Sequence, residues 1–180
     1  MCRAAGPRLV ILWQLWLAVV QGQTTESSCV NVAANMCWRI RNMASTRKVW
    51  SVLELEFHDS LTCNSLQQGT PSTSSFTGQS DSGEHPAAFA FDQDTRPTHW
   101  TAWWPKCGSL GCPARSEWIG TDLTGAAEIR CIKLWQFPDE DYSANTIRLE
   151  GWRGPQARWE VVQTYTDLAG GYWFRGPTLA

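Results

Sequence analysis

Short apolar segments separated by turn residues constrain the fold of this chain more than any other feature of its sequence. In residues 49–57 (VWSVLELEF), Leu53 and Leu55 share one parity while Glu54 and Glu56 share the other. This alternation predicts a half-buried β-strand. Four later segments have similar character, namely residues 118–123 (WIGTDL), 129–137 (IRCIKLWQF), 146–152 (TIRLEGW) and 159–165 (WEVVQTY). No helical period of useful length interrupts them, and residues 65–83, rich in Ser, Thr, Gly and Gln, are expected to form a long surface loop. The pattern predicts an antiparallel sandwich or barrel.

The first 22 residues have the features of a secretory signal peptide. Arg3 and Arg8 provide a positive start, and residues 9–20 (LVILWQLWLAVV) are apolar but too few to span a bilayer. We expect cleavage after Gly22; the alternative is a buried N-terminal helix. The predicted organisation is a signal at 1–22, a polar tail at 23–28 and one domain at 29–180. The expected location is secreted or extracellular.

The cysteine count agrees with export. Cys2 would leave with the signal, so an even number of cysteines remains as disulfide candidates: Cys29, Cys37, Cys63, Cys107, Cys112 and Cys131. Six cysteines allow fifteen pairings, and the sequence does not select among them. A zinc site using Cys107 and Cys112 is the alternative, although no second short-spaced Cys or His pair follows them.

Net charge and motif content exclude several function classes. The whole chain has a formal net charge of −2, and removing the predicted signal leaves 13 basic against 17 acidic residues. An acidic chain is a poor candidate for nucleic-acid binding. No metalloprotease, nucleophile-elbow or phosphate-loop motif is present, and the acidic run at 139–141 is typical of a solvated turn rather than of a glycosidase pair. We therefore expect a protein that is not an enzyme.

Two carboxylates and a hydroxyl lie close together at Asp92, Asp94 and Thr98. Calcium takes about six to eight oxygen ligands, and a tight loop with these side chains and its own carbonyls could provide many of them. The three residues are therefore candidate calcium ligands. The alternative is a turn in which the carboxylates bind their own backbone.

An adjacent pair of tryptophans, Trp103 and Trp104, follows this loop. Neighbouring residues of an extended chain point in opposite directions, so at most one indole of the pair faces the core while the other is free. An indole face can stack on a sugar ring or fill a core. With Arg96, His99 and Lys106, which can bind hydroxyls, carboxylates or phosphate, the pair forms the candidate ligand-binding set.

Several of these segments together resemble the discoidin-like domains, the type C domains of coagulation factors. The run AFAFDQDTRPTHW is similar to the family pattern A-x-D-G-D/N-x-x-T-x-W, and WIGTDL is similar to W-I-x-V-D-L/F. The strand at 129–135 and the segment WSVLELEFHDSLTC complete a resemblance that covers residues 29–174. This chain departs from the pattern in two places: Gln93 replaces glycine, and one extra residue separates Asp94 from Thr98.

The resemblance implies an all-β, antiparallel jelly-roll β-sandwich, held here by disulfides, that binds ligands through loops at one end. Members of the family are non-catalytic binders, and many that bind carbohydrate hold a structural calcium in the D-G-D/N loop. The resemblance therefore implies glycans or glycoconjugates as partners and calcium as a possible structural cofactor. The alternative partners are an anionic phospholipid surface or an extracellular protein. A third alternative is a structural protein without a functional ligand site.

Overall fold

The computed structural model describes residue 29 and residues 32–76, 83–98, 101–107, 110–154 and 158–178. These residues form an all-β structure of eight strands with short 3-10 turns and contain no α-helix. The strands are β1 (Cys37–Asn42), β2 (Val52–His58), β3 (Gly69–Thr73), β4 (Trp118–Leu123), β5 (Cys131–Gln136), β6 (Ile147–Trp152), β7 (Trp159–Tyr165) and β8 (Trp173–Pro177). No helix in the described part of the chain is long and apolar enough to cross a membrane.

Two antiparallel sheets build the domain. The larger sheet has the order β3-β4-β1-β6-β7, and the smaller has the order β2-β5-β8. In the larger sheet Ile40 is paired with Ile119 on one side and with Leu149 on the other. In the smaller sheet Leu55 is paired with Leu134. All five side chains belong to one buried cluster, so the two sheets enclose a common core as a β-sandwich.

The six expected disulfide cysteines form three bridges. Cys29 is joined to Cys37, Cys63 to Cys131, and Cys107 to Cys112. The last bridge rules out zinc binding by the thiolates of that pair. Three bridges in one small domain are typical of an oxidising, extracellular-type environment.

Two expectations about the strands are wrong. The segment 65–83, expected to be a loop throughout, contains β3, which pairs with β4. This strand lies at the sheet edge and is rich in polar residues, so it lacks the apolar alternation that marks a strand with a buried face. Glu54 was expected on the solvated face of β2 but is only 2% exposed. Its side chain lies beside the loop that follows the 3-10 turn Ala87–Phe91, which packs against β2.

The predicted signal at 1–22 and the polar tail at 23–28 lie outside the described residues, as does His99.

Candidate functional site

Three loops that join the two sheets meet at one end of the sandwich. They are residues 43–51 between β1 and β2, residues 137–146 between β5 and β6, and residues 166–172 between β7 and β8. Backbone hydrogen bonds tie them together. Lys48 N donates to Asp141 O at 2.9 Å, and Leu168 N donates to Asn145 O at 3.0 Å. We call this the loop end.

A cleft of about 280 Å³ opens between the three loops. Residues 45–47, Glu140, Asp141, Ser143, Asn145 and residues 168–169 line it. Hydroxyl, amide, carboxylate and guanidinium groups therefore surround a small apolar wall formed by Leu168 and Ala169. These are the group types that bind a small polar ligand with an apolar face.

Ion pairs fix one side of the cleft. Arg47 Nη1 lies 3.2 Å from Asp141 Oδ1 and 3.8 Å from Glu140 Oε1. Lys48 Nζ lies 4.0 Å from Asp141 Oδ2 and 4.8 Å from the ring centre of Tyr142. Because the side chains of Arg47 and Glu140 are largely exposed, their pairing adds little to stability, but it orients polar groups at the cleft wall.

A buried glutamine holds the base of the 137–146 loop. Gln136 is 1% exposed. Its Oε1 accepts hydrogen bonds from Trp50 Nε1 at 2.7 Å and from Ala144 N at 2.9 Å, and its Nε2 donates to Ala144 O at 3.1 Å. Both amide atoms are thus bonded, and the loop that carries Asp141 and Asn145 is anchored to the core.

The tryptophan pair divides between core and surface. Trp103 is fully buried, packs edge-on against Trp50 at 5.4 Å and pairs through its backbone with Val52. This indole points into the core, so it cannot contact a ligand in this conformation. Neighbouring side chains of an extended chain point in opposite directions. Trp104 is partly buried. It stacks on His85 at 3.8 Å and donates from Nε1 to Ser51 Oγ at 2.8 Å, which places it at the loop end.

The basic members of the predicted ligand set are not brought together by the described structure. Lys106 is exposed, and its backbone N donates to Ser75 Oγ at 2.8 Å. The Arg96 guanidinium is bound to Asp94, with Nε 2.9 Å from each carboxylate oxygen and Nη2 also in contact. Arg115, which lies near this set in the sequence, is exposed and in a left-handed conformation, with a φ of 68°.

The predicted calcium ligands bind groups of their own chain. Asp92 Oδ1 accepts from Asp94 N at 2.8 Å, and Asp94 Oδ1 accepts from Arg96 N at 3.0 Å. Thr98 Oγ1 lies 3.1 Å from Thr101 Oγ1. The Arg96 guanidinium holds the pKa of the Asp94 carboxyl well below its usual range, at about 2.

This donor set does not fit calcium, because a guanidinium already covers both oxygens of Asp94. Among the described residues, the one group of three close metal-ligating side chains is Cys29, Cys37 and Asp122. Its two cysteines are joined in a disulfide, so they provide no thiolate.

A second, smaller cavity of about 90 Å³ lies beside the Asp92 loop. Glu54, Glu56 and Gln93 are among its lining residues. Gln93 N donates to Glu54 Oε2 at 2.6 Å, and burial raises the pKa of Glu54 to about 8. The neighbouring Glu56 has two basic partners, since Lys133 Nζ lies 2.7 Å and His58 Nε2 2.8 Å from its Oε2.

Sequence reasoning missed Arg47, Asp141 and Asn145. The acids at 139–141 stand out in the sequence, but an acidic turn is usually only solvated. Arg47 and Asp141 are separated by 94 positions. A single sequence does not predict that these two residues are in contact. The only local indication is a charged cluster in a loop between two predicted strands.

Comparison of this chain with protein-family models, curated proteins and solved structures finds no match. The resemblance to discoidin-like domains therefore rests on the sequence motifs and stays a prediction.

Proposed function

We propose that this chain is a secreted, non-catalytic module that binds carbohydrate through its loop end. The single observation that carries the proposal is the cleft between the three loops, where Arg47, Asp141 and Asn145 stand beside an apolar wall. Carboxylate, amide and guanidinium groups bind the hydroxyls of a sugar, and an apolar wall suits the C–H face of its ring. The three disulfides and the predicted signal support the secreted location.

The size of the cleft favours a short ligand. At about 280 Å³ it falls just below the range of small-molecule pockets, which is roughly 300–1,000 Å³. A terminal sugar or a short oligosaccharide fits such a volume better than the interior of a long chain. The jelly-roll connectivity and the discoidin-like membership implied by the motifs form part of this proposal.

A glycan array on the oxidised mature chain tests the proposal. We expect selective signals that fall strongly in Asp141→Asn and in Asn145→Ala, because each change removes a polar group from the cleft. Asp59→Asn, an exposed aspartate just after β2 at the opposite end, is the matched control and should bind like the unmodified chain. A blank array with folded protein would overturn the proposal, and so would equal signals from the cleft variants and the control.

Leu110 favours a second candidate function, which is binding to an anionic phospholipid surface. This side chain is 94% exposed and belongs to the short segment closed by the Cys107–Cys112 bridge. The exposed cations Lys106 and Arg115 flank the segment in the sequence. An exposed apolar tip between cations can enter a bilayer while the cations meet anionic headgroups.

Sedimentation with phosphatidylserine vesicles tests this second candidate. Salt-sensitive binding that Leu110→Ser weakens would support it. Leu61→Ser, at a 46% exposed leucine beyond the far end of β2, is the control and should have no effect. Equal binding to neutral phosphatidylcholine vesicles would refute this candidate.

A further inference from the structure

In the loop from Asp92 to Thr98, the carboxylate of Asp94 is already paired with a positively charged side chain of the same loop, that of Arg96. Both carboxylate oxygens of Asp94 face the Arg96 guanidinium, in the side-on arrangement that gives the strongest carboxylate contacts of arginine. Arg96 N also donates to Asp94 Oδ1 at 3.0 Å. Arg96 therefore grips Asp94 through both its side chain and its backbone.

The other oxygen ligands expected for calcium are also engaged within the loop. Asp92 Oδ1 accepts from Asp94 N, which closes a turn of the Asx type. Thr98 is linked to Thr101, whose Oγ1 donates to Arg96 O at 2.8 Å. The hydrogen bonds of the loop thus converge on Arg96 and Asp94.

Gln93 connects this loop to the sheet. It adopts a φ of 66°, in the left-handed region that glycine enters most easily. Its backbone N donates to Glu54 Oε2 at 2.6 Å, which ties the loop to β2. The replacement of glycine by Gln93 therefore leaves a tight turn in place.

We propose that the Arg96 guanidinium takes the place of the calcium ion that the discoidin-like resemblance implies, so that the Asp92–Thr98 loop holds its shape without a metal. The positive charge comes from Arg96, two residues after Asp94 in the same loop. This inference is independent of the ligand bound at the loop end.

The test is the thermal unfolding midpoint of the oxidised chain, measured in calcium chloride and in chelator. We expect the same midpoint under both conditions for the unmodified chain. The Arg96 side chain is 76% exposed, so Arg96→Gln should lower the midpoint in chelator only slightly. Calcium should raise the midpoint of this variant, because the Asp94 carboxylate is then free to attract the ion together with Asp92. Arg96→Lys, which keeps the charge, should remain insensitive to calcium.

Arg130→Gln is the matched control, because it removes one exposed cation far from this loop in the sequence. It should create no response to calcium. Stabilisation of the unmodified chain by calcium would overturn the inference. An Arg96→Gln variant that gains no response to calcium would overturn it as well.

Discussion

Replacing the buried Glu54 by glutamine is expected to remove a large pH dependence from the stability of this protein. Glu54 is 2% exposed, and burial raises the pKa of its carboxyl from 4.5 to about 8. Below pH 4.5 the carboxyl is protonated in both the folded and the unfolded chain. Between pH 4.5 and about pH 8 the folded chain keeps the proton while the unfolded chain releases it, so stability falls as the pH rises.

The size of the effect follows from the width of this interval. One proton released on unfolding changes the free energy of unfolding by about 1.4 kcal/mol per pH unit. Over the interval from pH 4.5 to about 8 the loss is therefore at most about 5 kcal/mol. A glutamine at this position does not ionise and can still accept the hydrogen bond from Gln93 N. Glu54→Gln should then match the unmodified chain near pH 4.5 and be more stable by several kcal/mol near pH 8.

Urea unfolding with intact disulfides, followed by tryptophan fluorescence across this pH range, measures the difference directly. When the variant is compared with the unmodified chain, groups that titrate in the same way in both proteins contribute equally to the free energy of unfolding, so their contributions cancel. Glu128→Gln, at an exposed glutamate, is the control and should show no pH-dependent gain. A stability difference between Glu54→Gln and its parent that is the same at pH 4.5 and pH 8 would refute the reasoning.

Four further changes test the packing and one of the bridges, each by chemical denaturation. Gln136→Leu should cost at least about 2 kcal/mol, because it leaves three buried hydrogen-bonding groups without their partner; a neutral result would contradict the anchoring of the 137–146 loop. Trp103→Ala should cost about 3–5 kcal/mol, and Trp104→Ala clearly less, since only Trp103 is fully buried; a reversed order would contradict the assignment of the pair. Removing the Cys63–Cys131 bridge, which closes a separation of 68 residues, should cost about 4 kcal/mol by loop entropy; a loss well under half of this would show that the unfolded chain is already restricted.

The sequence predicts five of the eight strands in the described residues, namely β2, β4, β5, β6 and β7, and misses β1, β3 and β8. The predicted ranges at 118–123 and 159–165 coincide with β4 and β7. The strand β3 could not be found in this way, because residues 69–73 (GTPST) contain no apolar alternation. The burial of Glu54 was equally hidden, since it depends on a loop about 40 residues away in the chain.

The candidate site is less predictable than the fold, because its parts are distant in sequence. The local set at Asp92, Asp94 and Thr98 was visible from spacing, but the position of Arg96 over Asp94 depends on how the loop turns. Residues 45–47 line one cleft with Asp141 and Asn145 only when the two sheets are packed against each other. The spacing of residues within one segment does not predict contacts between segments that are far apart in the sequence.

Backbone amide NMR during titration with the strongest glycan from the array is the most direct test of ligand binding at the loop end. We predict that the shifted signals cluster at residues 45–47, 140–145 and 168–169, and that Asn145→Ala weakens the titration. Shifts concentrated at the opposite end, around residues 59–68, would contradict this location, and an absence of shifts with every glycan tested would contradict carbohydrate binding itself.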